Sequence, residues 1–331
     1  MRTRQGQPAG GKNPGERSLL ERIRSRAARQ AANLRLGIGD DCALLAPEPG
    51  EEVAVTTDLS IAGRHFLLEW HRPEVVGHRT LARGLSDLAA MGARPLGAFV
   101  SLGLPVELTR KRGSRSSWIE DFFTGFLALA RPYRTPLAGG DLAQSPLALA
   151  DVVLVGAVPR GRALLRSGAR PGDLLYVTGR LGGAAAGLAA LRASGPKFRE
   201  LLRSHLYPQP RVAQGLWLQR RGVATAAIDL SDGLSTDLHH LCEESRVAAE
   251  VDATRLPVHP SATLDQALNG GEDYELLFTA PSRTRVPRSI AGVAVTAIGR
   301  IAPRDRRRPL VALMTGTGGE PLEARGWEHF A

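Results

Sequence analysis

Strand-like and helix-like segments alternate along this chain. The strand-like segments are short runs of apolar and β-branched residues, at 52–58, 96–105, 147–158, 174–178 and 224–230. The helix-like segments have apolar residues at helical spacing, at 16–29, 73–92, 117–130, 181–193 and 234–242. Such an alternation predicts an α/β (α+β) fold, because each helix must bury its apolar face against a sheet.

The length of the chain predicts more than one domain. At 331 residues it exceeds the size at which a single hydrophobic core usually stops growing. Residues 1–15 are rich in Gly, Gln, Pro and basic residues and offer nothing to bury, so we expect a disordered basic leader there. We predict an N-terminal α/β domain at 16–160 and a C-terminal α/β domain at 161–331, with the boundary in the Gly-rich and basic stretch that follows the third strand-like run.

Charge and cysteine content argue against several classes of protein. The net charge is +10, but nine Lys and Arg face only two Glu in the first 35 residues, and five arginines cluster at 300–308. These stretches contain no aromatic residues, so we expect solvated basic segments and no nucleic-acid binding. Cys42 and Cys242 are too few for a disulfide framework, which indicates a reducing compartment. No apolar run reaches the length of a signal peptide or membrane span, so we predict a cytoplasmic protein without a membrane partner.

Carboxylates recur beside glycine or hydroxyl residues at the ends of predicted strands. The blocks are GIGDD (37–41), TTD (56–58), SD (86–87), GGD (139–141), DLSDG (229–233) and GGEDYE (270–275). Glycine permits close backbone approach and carboxylates are hard oxygen ligands, so the set predicts an acidic cluster. Taken singly, Asp87 or Asp232 is also compatible with a helix cap, and Gly270 with Gly271 is compatible with a simple turn.

An acidic cluster of this kind repels itself unless cations bind to it. Mg²⁺ is the cation that combines a few carboxylates with water and phosphate ligands, which indicates a phosphorylated substrate, and a nucleoside triphosphate above all. No His-rich ligand set or EF-hand loop accompanies the acids. Residues 6–12 have the glycine and lysine spacing of a Walker A loop, but Asn13 replaces the required Ser or Thr, so we expect no P-loop.

The order and spacing of seven longer blocks resemble those of the thiamine-monophosphate kinase family. The blocks are GIGDDCALL (37–45), TTDLSIAGRHF (56–66), LARGLSDLAAMGARP (81–95), LAGGD (137–141), GRALLRSGARPGD (161–173), IDLSDGLSTDL (228–238) and GGEDYELLF (270–278). The resemblance covers nearly the whole chain, from about residue 16 to residue 330. It implies an N-terminal domain that binds ATP and magnesium, whose sheet forms a barrel with that of a twin chain in a homodimer. It also implies an active site between the two domains.

The resemblance also implies residue roles. The metal ligands would be Asp41, Thr56, Thr57, Asp58, Asp87, Asp141, Asp229 and Asp232. Among these, catalysis would rest on Asp87, Asp229 and Asp232. ATP would be bound by Gly140 and Asp141 of a GGD turn, by Arg166 and by Ser231. Thiamine monophosphate would be bound by His65, Glu272 and Trp327.

The expected activity is magnesium-dependent, in-line transfer of the γ-phosphoryl group of ATP to thiamine monophosphate, giving thiamine diphosphate. The alternative within the same superfamily is an ATP-dependent enzyme that acts on a purine precursor or on selenide. A selenide enzyme is expected to carry a reactive cysteine with a nearby lysine, and Cys42 has no adjacent lysine. Two further hypotheses come from other classes of protein. A nucleic-acid-binding protein would show strongly salt-dependent binding to DNA or RNA. A magnesium-binding scaffold without catalysis would be excluded by ATP turnover.

Overall fold

The computed structural model describes residues 16–27, 33–38, 42–111, 116–194, 199–316 and 318–328. The predicted leader at 1–15, the Walker-like stretch and Asp41 lie outside these ranges.

A four-stranded sheet organises the N-terminal part. Its helices are α1 (Glu16–Ala27), α2 (Pro73–Ala90) and α3 (Trp118–Ala130). Its strands are β1 (Leu34–Leu36), β2 (Leu44–Leu45), β3 (Glu51–Ile61), β4 (Arg94–Leu104), β5 (Leu137–Gln144) and β6 (Leu149–Pro159). The strand order is β3-β6-β4-β5; β6 is antiparallel to both neighbours and β4 is parallel to β5. Strands β1 and β2 form a separate antiparallel pair.

A larger mixed sheet organises the C-terminal part. Its helices are α4 (Gly183–Ser194), α5 (Arg199–Leu206), α6 (Val212–Arg221), α7 (Leu234–Ser245) and α8 (Leu264–Asn269). Its strands are β7 (Asp173–Thr178), β8 (Ala226–Asp229), β9 (Ala248–Asp252), β10 (Leu276–Pro281), β11 (Ser289–Ile290), β12 (Val293–Ala302), β13 (Val311–Thr315) and β14 (Gly318–Pro321). The order is β14-β13-β9-β12-β7-β10-β8, and β11 pairs with β12.

Helix α2 is the central helix of the molecule because it packs on the first sheet, on α3 and on α6. The contact with α3 is close enough that a Cβ at Gly125 would overlap the carbonyl oxygen of Glu74. On its other side, a Cβ at Gly215 of α6 would overlap the carbonyl oxygen of Ala89. Glycine is therefore required at both crossings, and α2 is held between an N-terminal and a C-terminal helix.

One hydrophobic core runs across both parts of the chain. Phe122 and Leu154 from the first part belong to the same buried cluster as Leu218 and Phe278 from the second. A second cluster, which includes Leu238 and Ile298, fills the space between α7 and the larger sheet. The contact between the two parts therefore resembles a core, and a large apolar interface of this kind resists relative domain motion.

The predicted elements are confirmed in type and order, since each of the five strands and five helices expected from the sequence overlaps an observed one. One prediction of local structure is wrong. The GGD segment at 139–141 is part of β5 and not a turn, because it pairs in parallel with β4 and Gly140 adopts a φ of 146° there. Within the described ranges, no helix has the length and apolar character needed to cross a membrane.

Candidate active site

A cavity of about 610 Å³ opens between the two parts of the chain. Its walls come from β3, the 62–72 connection, α2, α4, the β8–α7 loop, the loop before β10, and the C-terminal segment. Nine residues predicted from the sequence line it: Thr57, Asp58, His65, Asp87, Asp229, Ser231, Asp232, Glu272 and Trp327. We refer to it as the site cavity.

One end of the site cavity is acidic. Asp58 lies on β3, Asp87 on α2 and Asp229 at the end of β8. Thr56 donates its hydroxyl hydrogen bond to Asp87, which brings β3 against α2. Ser86 Oγ donates to Asp229 Oδ2 at 2.6 Å, which brings α2 against β8. Three carboxylates that are distant in sequence are thereby gathered at one end of the cavity.

The electrostatics of this end favour a bound cation. Burial raises the pKa of Asp58 to about 6, against the lowering effect of Arg83 at 2.9 Å. Burial and then the charge of Asp229 raise the pKa of Asp87 to about 7, and burial raises the pKa of Asp229 as well. Burial is the largest cause at all three residues, and a divalent ion bound beside them would favour their charged form. In the described part of the chain, no three His, Cys, Asp or Glu side chains already form a metal-ligand cluster.

The helix-cap alternative is wrong for Asp87 and Asp232. Asp87 lies within α2, where its side chain accepts from Thr56. The cap residue of α7 is Gly233, not Asp232, and its φ of 117° suits glycine. Asp237, one turn into α7, accepts from the backbone N–H groups of Asp232 and Gly233 at 3.1 and 3.0 Å. Asp237 therefore holds the loop that presents Asp232, a role that the sequence pattern did not reveal.

The lining of the site cavity also includes a carboxylate and two aromatic side chains. Glu272 receives a hydrogen bond from Arg79 Nη2 at 2.6 Å. Trp327 is 46% exposed, and its backbone N–H donates to the carbonyl oxygen of Asp232 at 3.0 Å. His65 Nδ1 accepts from the N–H of Ile61 at 3.1 Å, which orients the ring. The indole and the carboxylate thus lie along the same cavity as the acidic end.

The three acids of the GGEDYE block have different roles. Only Glu272 lines the site cavity. Asp273 accepts from the N–H groups of Gly182 and Ala184, at 2.5 and 3.0 Å, at the start of α4. Glu275 is 3% exposed and binds Arg211 through both carboxylate oxygens. Two of the acids therefore fix the loop to its surroundings and the third faces the ligand space, so the block is more than the simple turn considered from its glycines.

Helix α2 contributes two residues that the sequence pattern did not single out. Arg79 binds Glu272 and Arg83 binds Asp58, and both lie on the same face of the helix as Asp87, at intervals of four residues. Charged residues at i, i+4 and i+8 in an otherwise buried helix are a signal that could have indicated them.

Gly140 and Asp141 lie elsewhere in this chain. They line a different cavity, of about 860 Å³, between α1, β4 and β5. In the sheet, Asp58 is level with Gly140, but β6 and β4 lie between their strands. Three strand spacings separate them by about 14 Å. Arg166 also lies outside the lining of the site cavity, although its charge lowers the pKa of Asp87 and Asp229.

This two-part α/β architecture, with an acidic cleft, matches a known family. The AIR synthase related protein N-terminal domain matches residues 39–162, and the corresponding C-terminal domain matches residues 170–309. Thiamine-monophosphate kinase of Escherichia coli is 40% identical over 96% of this chain and 98% of its own. A crystal structure of thiamine-monophosphate kinase from Stenotrophomonas maltophilia is 40% identical, covers 90% of this chain and 96% of that chain, and has a TM-score of 0.78.

A second solved structure, of AaThiL complexed with AMPPCP and TMP, is 31% identical and has a TM-score of 0.75. It covers 98% of this chain and 99% of that chain. The chain belongs to the thiamine-monophosphate kinase family of AIR synthase related proteins.

Proposed function

We propose that this protein is a magnesium-dependent kinase that transfers the γ-phosphoryl group of ATP to thiamine monophosphate, the last step of thiamine diphosphate biosynthesis. The observation that carries the proposal is the lining of the site cavity, which brings buried carboxylates together with Glu272 and Trp327. A phosphate ester of a cationic heteroaromatic alcohol needs both: carboxylates that bind a metal ion for its phosphate, and a negative, aromatic surface for its ring. The relative solved with AMPPCP and TMP binds an ATP analogue and TMP together.

The acidic end has the chemistry of a magnesium site. Its oxygen donors would come from Thr56, Asp58, Asp87, Asp229 and Asp232, and Asp41, Thr57 and Asp141 belong to the same proposed ligand set. The fit rests on the geometry that gathers the buried carboxylates of Asp58, Asp87 and Asp229 in one cavity, where burial raises their pKa values and a cation would stabilise their charged form. Mg²⁺ bound there would supply the positive charge that offsets the repulsion between the two phosphate groups.

The chain needs no general base for this reaction. A phosphate monoester has its second pKa near 6, so the acceptor oxygen is already ionised at neutral pH. The contribution of the protein is to place donor and acceptor in line and to offset their mutual repulsion. Arg166 and Ser231 would bind the phosphates of ATP, and the arginine suits this because its guanidinium fork matches phosphate oxygens. We expect direct transfer without a phosphorylated enzyme.

Glu272 and the aromatic side chains of the site cavity would bind the thiamine rings. Burial favours the neutral form of Glu272, but the charge and hydrogen bond of Arg79, together with the effects of His205 and Arg83, outweigh burial and lower its pKa to about 2, so the side chain carries a negative charge. An ionised carboxylate attracts a cationic ring, and an indole offers its π face to the same charge. Glu272 and Trp327, with His65 beside them, would therefore select an acceptor with positive charge in its ring system.

We also propose that the working form is a homodimer. The face of the first sheet opposite to α2 carries exposed apolar residues: Val53 is 54% exposed, Val55 61% and Leu59 44%. Their partners in the neighbouring strand β6 are Ala157, Val155 and Asp151, in that order, and lie on the same face of the sheet. An uncovered apolar sheet face with open edge strands is suited to association with a second copy.

A second copy would also explain the position of Asp141. In one chain, Asp58 and Asp141 lie at opposite edges of the sheet, at nearly the same level along the strands. If two sheets close into a barrel, β5 of one copy comes next to β3 of the other. Gly140 and Asp141 would then reach the nucleotide held by the partner subunit. The cytoplasm, where ATP and biosynthetic intermediates are available, is the proposed location.

The test is a coupled assay of the purified chain with ATP, Mg²⁺ and thiamine monophosphate that follows ADP and thiamine diphosphate together. We expect equal amounts of both products, and none of either with EDTA. Release of ADP without thiamine diphosphate would contradict thiamine monophosphate as the acceptor. A purine precursor or selenide would then be tested as the substrate. Incubation with γ-labelled ATP alone tests direct transfer, because label retained on acid-precipitated protein would indicate a covalent intermediate.

A further inference from the structure

Three buried side chains lie behind Glu272 and connect it to the rest of the protein. They are Arg79 of α2, His71 in the segment just before that helix, and His205 of α5, with exposures of 5%, 3% and 2%. We refer to them as the Glu272 anchor. The first two belong to the N-terminal part of the chain, whereas His205 and Glu272 belong to the C-terminal part.

Arg79 binds two partners with its two terminal nitrogens. Its Nη2 donates to Glu272 Oε1 at 2.6 Å, and its Nη1 donates to the carbonyl oxygen of His205. The rigid fork of the guanidinium therefore fixes the carboxylate relative to α5. Lysine has no such fork and could not hold both acceptors in this geometry.

The two histidines extend the chain of contacts. His71 Nε2 and His205 Nε2 are 3.1 Å apart, so one ring must donate and the other accept. His205 Nδ1 lies 3.6 Å from Glu272 Oε2 and 3.5 Å from Arg79 Nη1. His71 Nδ1 lies 3.1 Å from the backbone nitrogen of Leu67 and 3.2 Å from its carbonyl oxygen, which fixes the orientation of the ring.

Both rings are neutral near pH 7, because burial and then the charge of Arg79 lower the pKa of His71 to about 4 and of His205 to about 3. The negative charge of Glu272 is therefore balanced by Arg79 alone among the three anchor residues. The carboxylate has more acceptor positions than the anchor uses, so it keeps the capacity to bind a donor or cation in the site cavity.

The backbone of Glu272 is in a conformation that needs support. Its φ is 69°, in the left-handed region that non-glycine residues rarely adopt. Its N–H donates to the carbonyl oxygen of Ser231 at 2.7 Å, so the same residue connects the acceptor end to the loop of Asp229 and Asp232. A strained backbone conformation is retained only when several contacts from the surrounding structure hold it in place. Such conformations often occur at functional sites.

We propose that Arg79 and His205 are positioning residues that orient the Glu272 carboxylate, with His71 holding His205, and that this orientation sets the affinity for the cationic acceptor. The inference rests on the proposed function. It assigns to the anchor an effect on acceptor binding rather than on nucleotide binding, because Arg79 and His205 contact Glu272 and His71 contacts His205.

The chain offers a matched control on the same loop. Arg211 pairs with Glu275, three residues after Glu272, through two hydrogen bonds, the longer of which is 2.6 Å. Glu275 is turned away from the site cavity, toward Thr178 and Arg211. Arg211→Met therefore removes a buried loop contact of the same type as Arg79→Met does, without touching the residue that faces the ligand.

The experiment compares kcat and the KM values for ATP and thiamine monophosphate in the two variants. We expect Arg79→Met to raise the KM for thiamine monophosphate about tenfold or more and to leave the KM for ATP within about twofold, since charge-assisted hydrogen bonds contribute on this scale. Arg211→Met should lower the melting temperature while both KM values stay within about twofold. Equal increases in the two variants would mean that loop stability alone matters and would overturn the proposal.

A double-mutant cycle tests whether Arg79 acts through Glu272. In a Glu272→Gln background, Arg79→Met should raise the KM for thiamine monophosphate by less than about twofold, because the carboxylate that it orients is gone. The same tenfold effect in both backgrounds would overturn the proposal. Arg79→Lys and His205→Asn provide milder variants, expected to show smaller increases of the same KM, if Arg79→Met does not fold.

The measurements distinguish failure of the proposed kinase function from failure of the proposed role of the Glu272 anchor. An active wild-type kinase with normal acceptor KM in all anchor variants would contradict the anchor and leave the kinase standing. A folded wild-type protein that neither phosphorylates thiamine monophosphate nor binds it by calorimetry would contradict the proposed function and this inference with it.

Discussion

The acidic residues of the site cavity illustrate how position changes the chemistry of one side-chain type. Asp58 has a positive neighbour in Arg83, yet burial still raises its pKa to about 6. Asp237 has two backbone N–H donors, yet burial and the charges of Asp229 and Asp232 raise its pKa to about 8. Desolvation and like charge therefore outweigh local hydrogen bonds at both residues.

The first prediction concerns Asp87. Asp87→Asn keeps the shape of the side chain and removes a ligand charge, so kcat should fall by at least about a hundredfold. The melting temperature should stay the same or rise, because the repulsion between Asp87 and Asp229 disappears. Kinetics and a thermal melt on the same preparation test this, with Asp305→Asn, in the loop between β12 and β13, as the control. Near-normal turnover in Asp87→Asn would remove this residue from the metal site.

The second prediction concerns the pH dependence of stability. The pKa values of His71 and His205 are lowered from 6.5 to about 4 and about 3, so the unfolded chain binds more protons than the folded one between these values. Their contribution to stability is complete above about pH 6.5 and is lost as the pH falls toward 4. The raised pKa values of Asp58 and Asp87 act in the opposite direction, so the histidine effect must be measured as a difference.

Denaturant unfolding of wild type, His71→Gln and His205→Gln across pH 4 to 7 supplies that difference. Each variant should reduce the rise of unfolding free energy with pH by up to about 1.4 kcal/mol per pH unit. If the unfolding free energy of a variant changes with pH just as that of the wild type does, the replaced histidine has the same pKa in the folded and unfolded protein, which would contradict the prediction.

At the scale of single elements, α2 connects packing to function. Its buried face holds the core, and one side of it carries Arg79, which binds Glu272, and Arg83 and Asp87, which bind Asp58 and Thr56 of β3. The positions of these side chains depend on how α2 lies against α3 and α6, since a shift of the helix moves all three together.

The third prediction tests this packing. A Cβ at Gly125 of α3 would overlap the carbonyl oxygen of Glu74, a backbone atom that cannot rotate away. Gly125→Ala should therefore lower the free energy of unfolding by about 3 kcal/mol and reduce kcat, because α2 must move. Gly316→Ala, where an added Cβ meets nothing within 4 Å, is the control. Equal stability of the two variants in urea would show that the crossing of the two helices can relax.

At the scale of the whole molecule, the proposed active-site residues lie in two separate cavities of one chain. The residues proposed to bind ATP and magnesium are divided between the site cavity and the cavity at Gly140 and Asp141. The shared core between the two parts of the chain makes a large rearrangement within one chain costly. Association of two chains brings the two sets together without such a change.

The fourth prediction is complementation between inactive variants. Asp58→Asn and Asp141→Asn should each be inactive, but subunit exchange should restore activity, because one site in each mixed dimer receives both intact residues. With random exchange, half of the dimers are mixed and half of their sites are intact, so about a quarter of wild-type activity is expected.

Adding Val55→Glu to both chains supplies the control. A charge on the uncovered sheet face should produce monomers in sedimentation and abolish the recovery. No recovery from dimers that demonstrably exchange would place Asp141 outside the partner's site.

The sequence was enough to predict the elements whose signal is local. The helical spacing of 73–92, the β-branched run of 52–58 and the glycine-flanked carboxylates are each readable within a few residues. The segment 139–141 was misread because two adjacent glycines usually indicate a turn, whereas here the neighbouring strand β4 determines its conformation. The family resemblance likewise rests on short blocks and their order.

The tertiary structure alone decided which of these residues meet. Arg79 and Glu272 are separated by 193 residues, and nothing near either one indicates the other. The same holds for His71 with His205, and for the separation of Asp58 from Asp141 across the sheet. Backbone preference and hydrophobic spacing are local properties and can be read from the chain, whereas long-range ion pairs and hydrogen bonds depend on how helices and sheets pack around a common core.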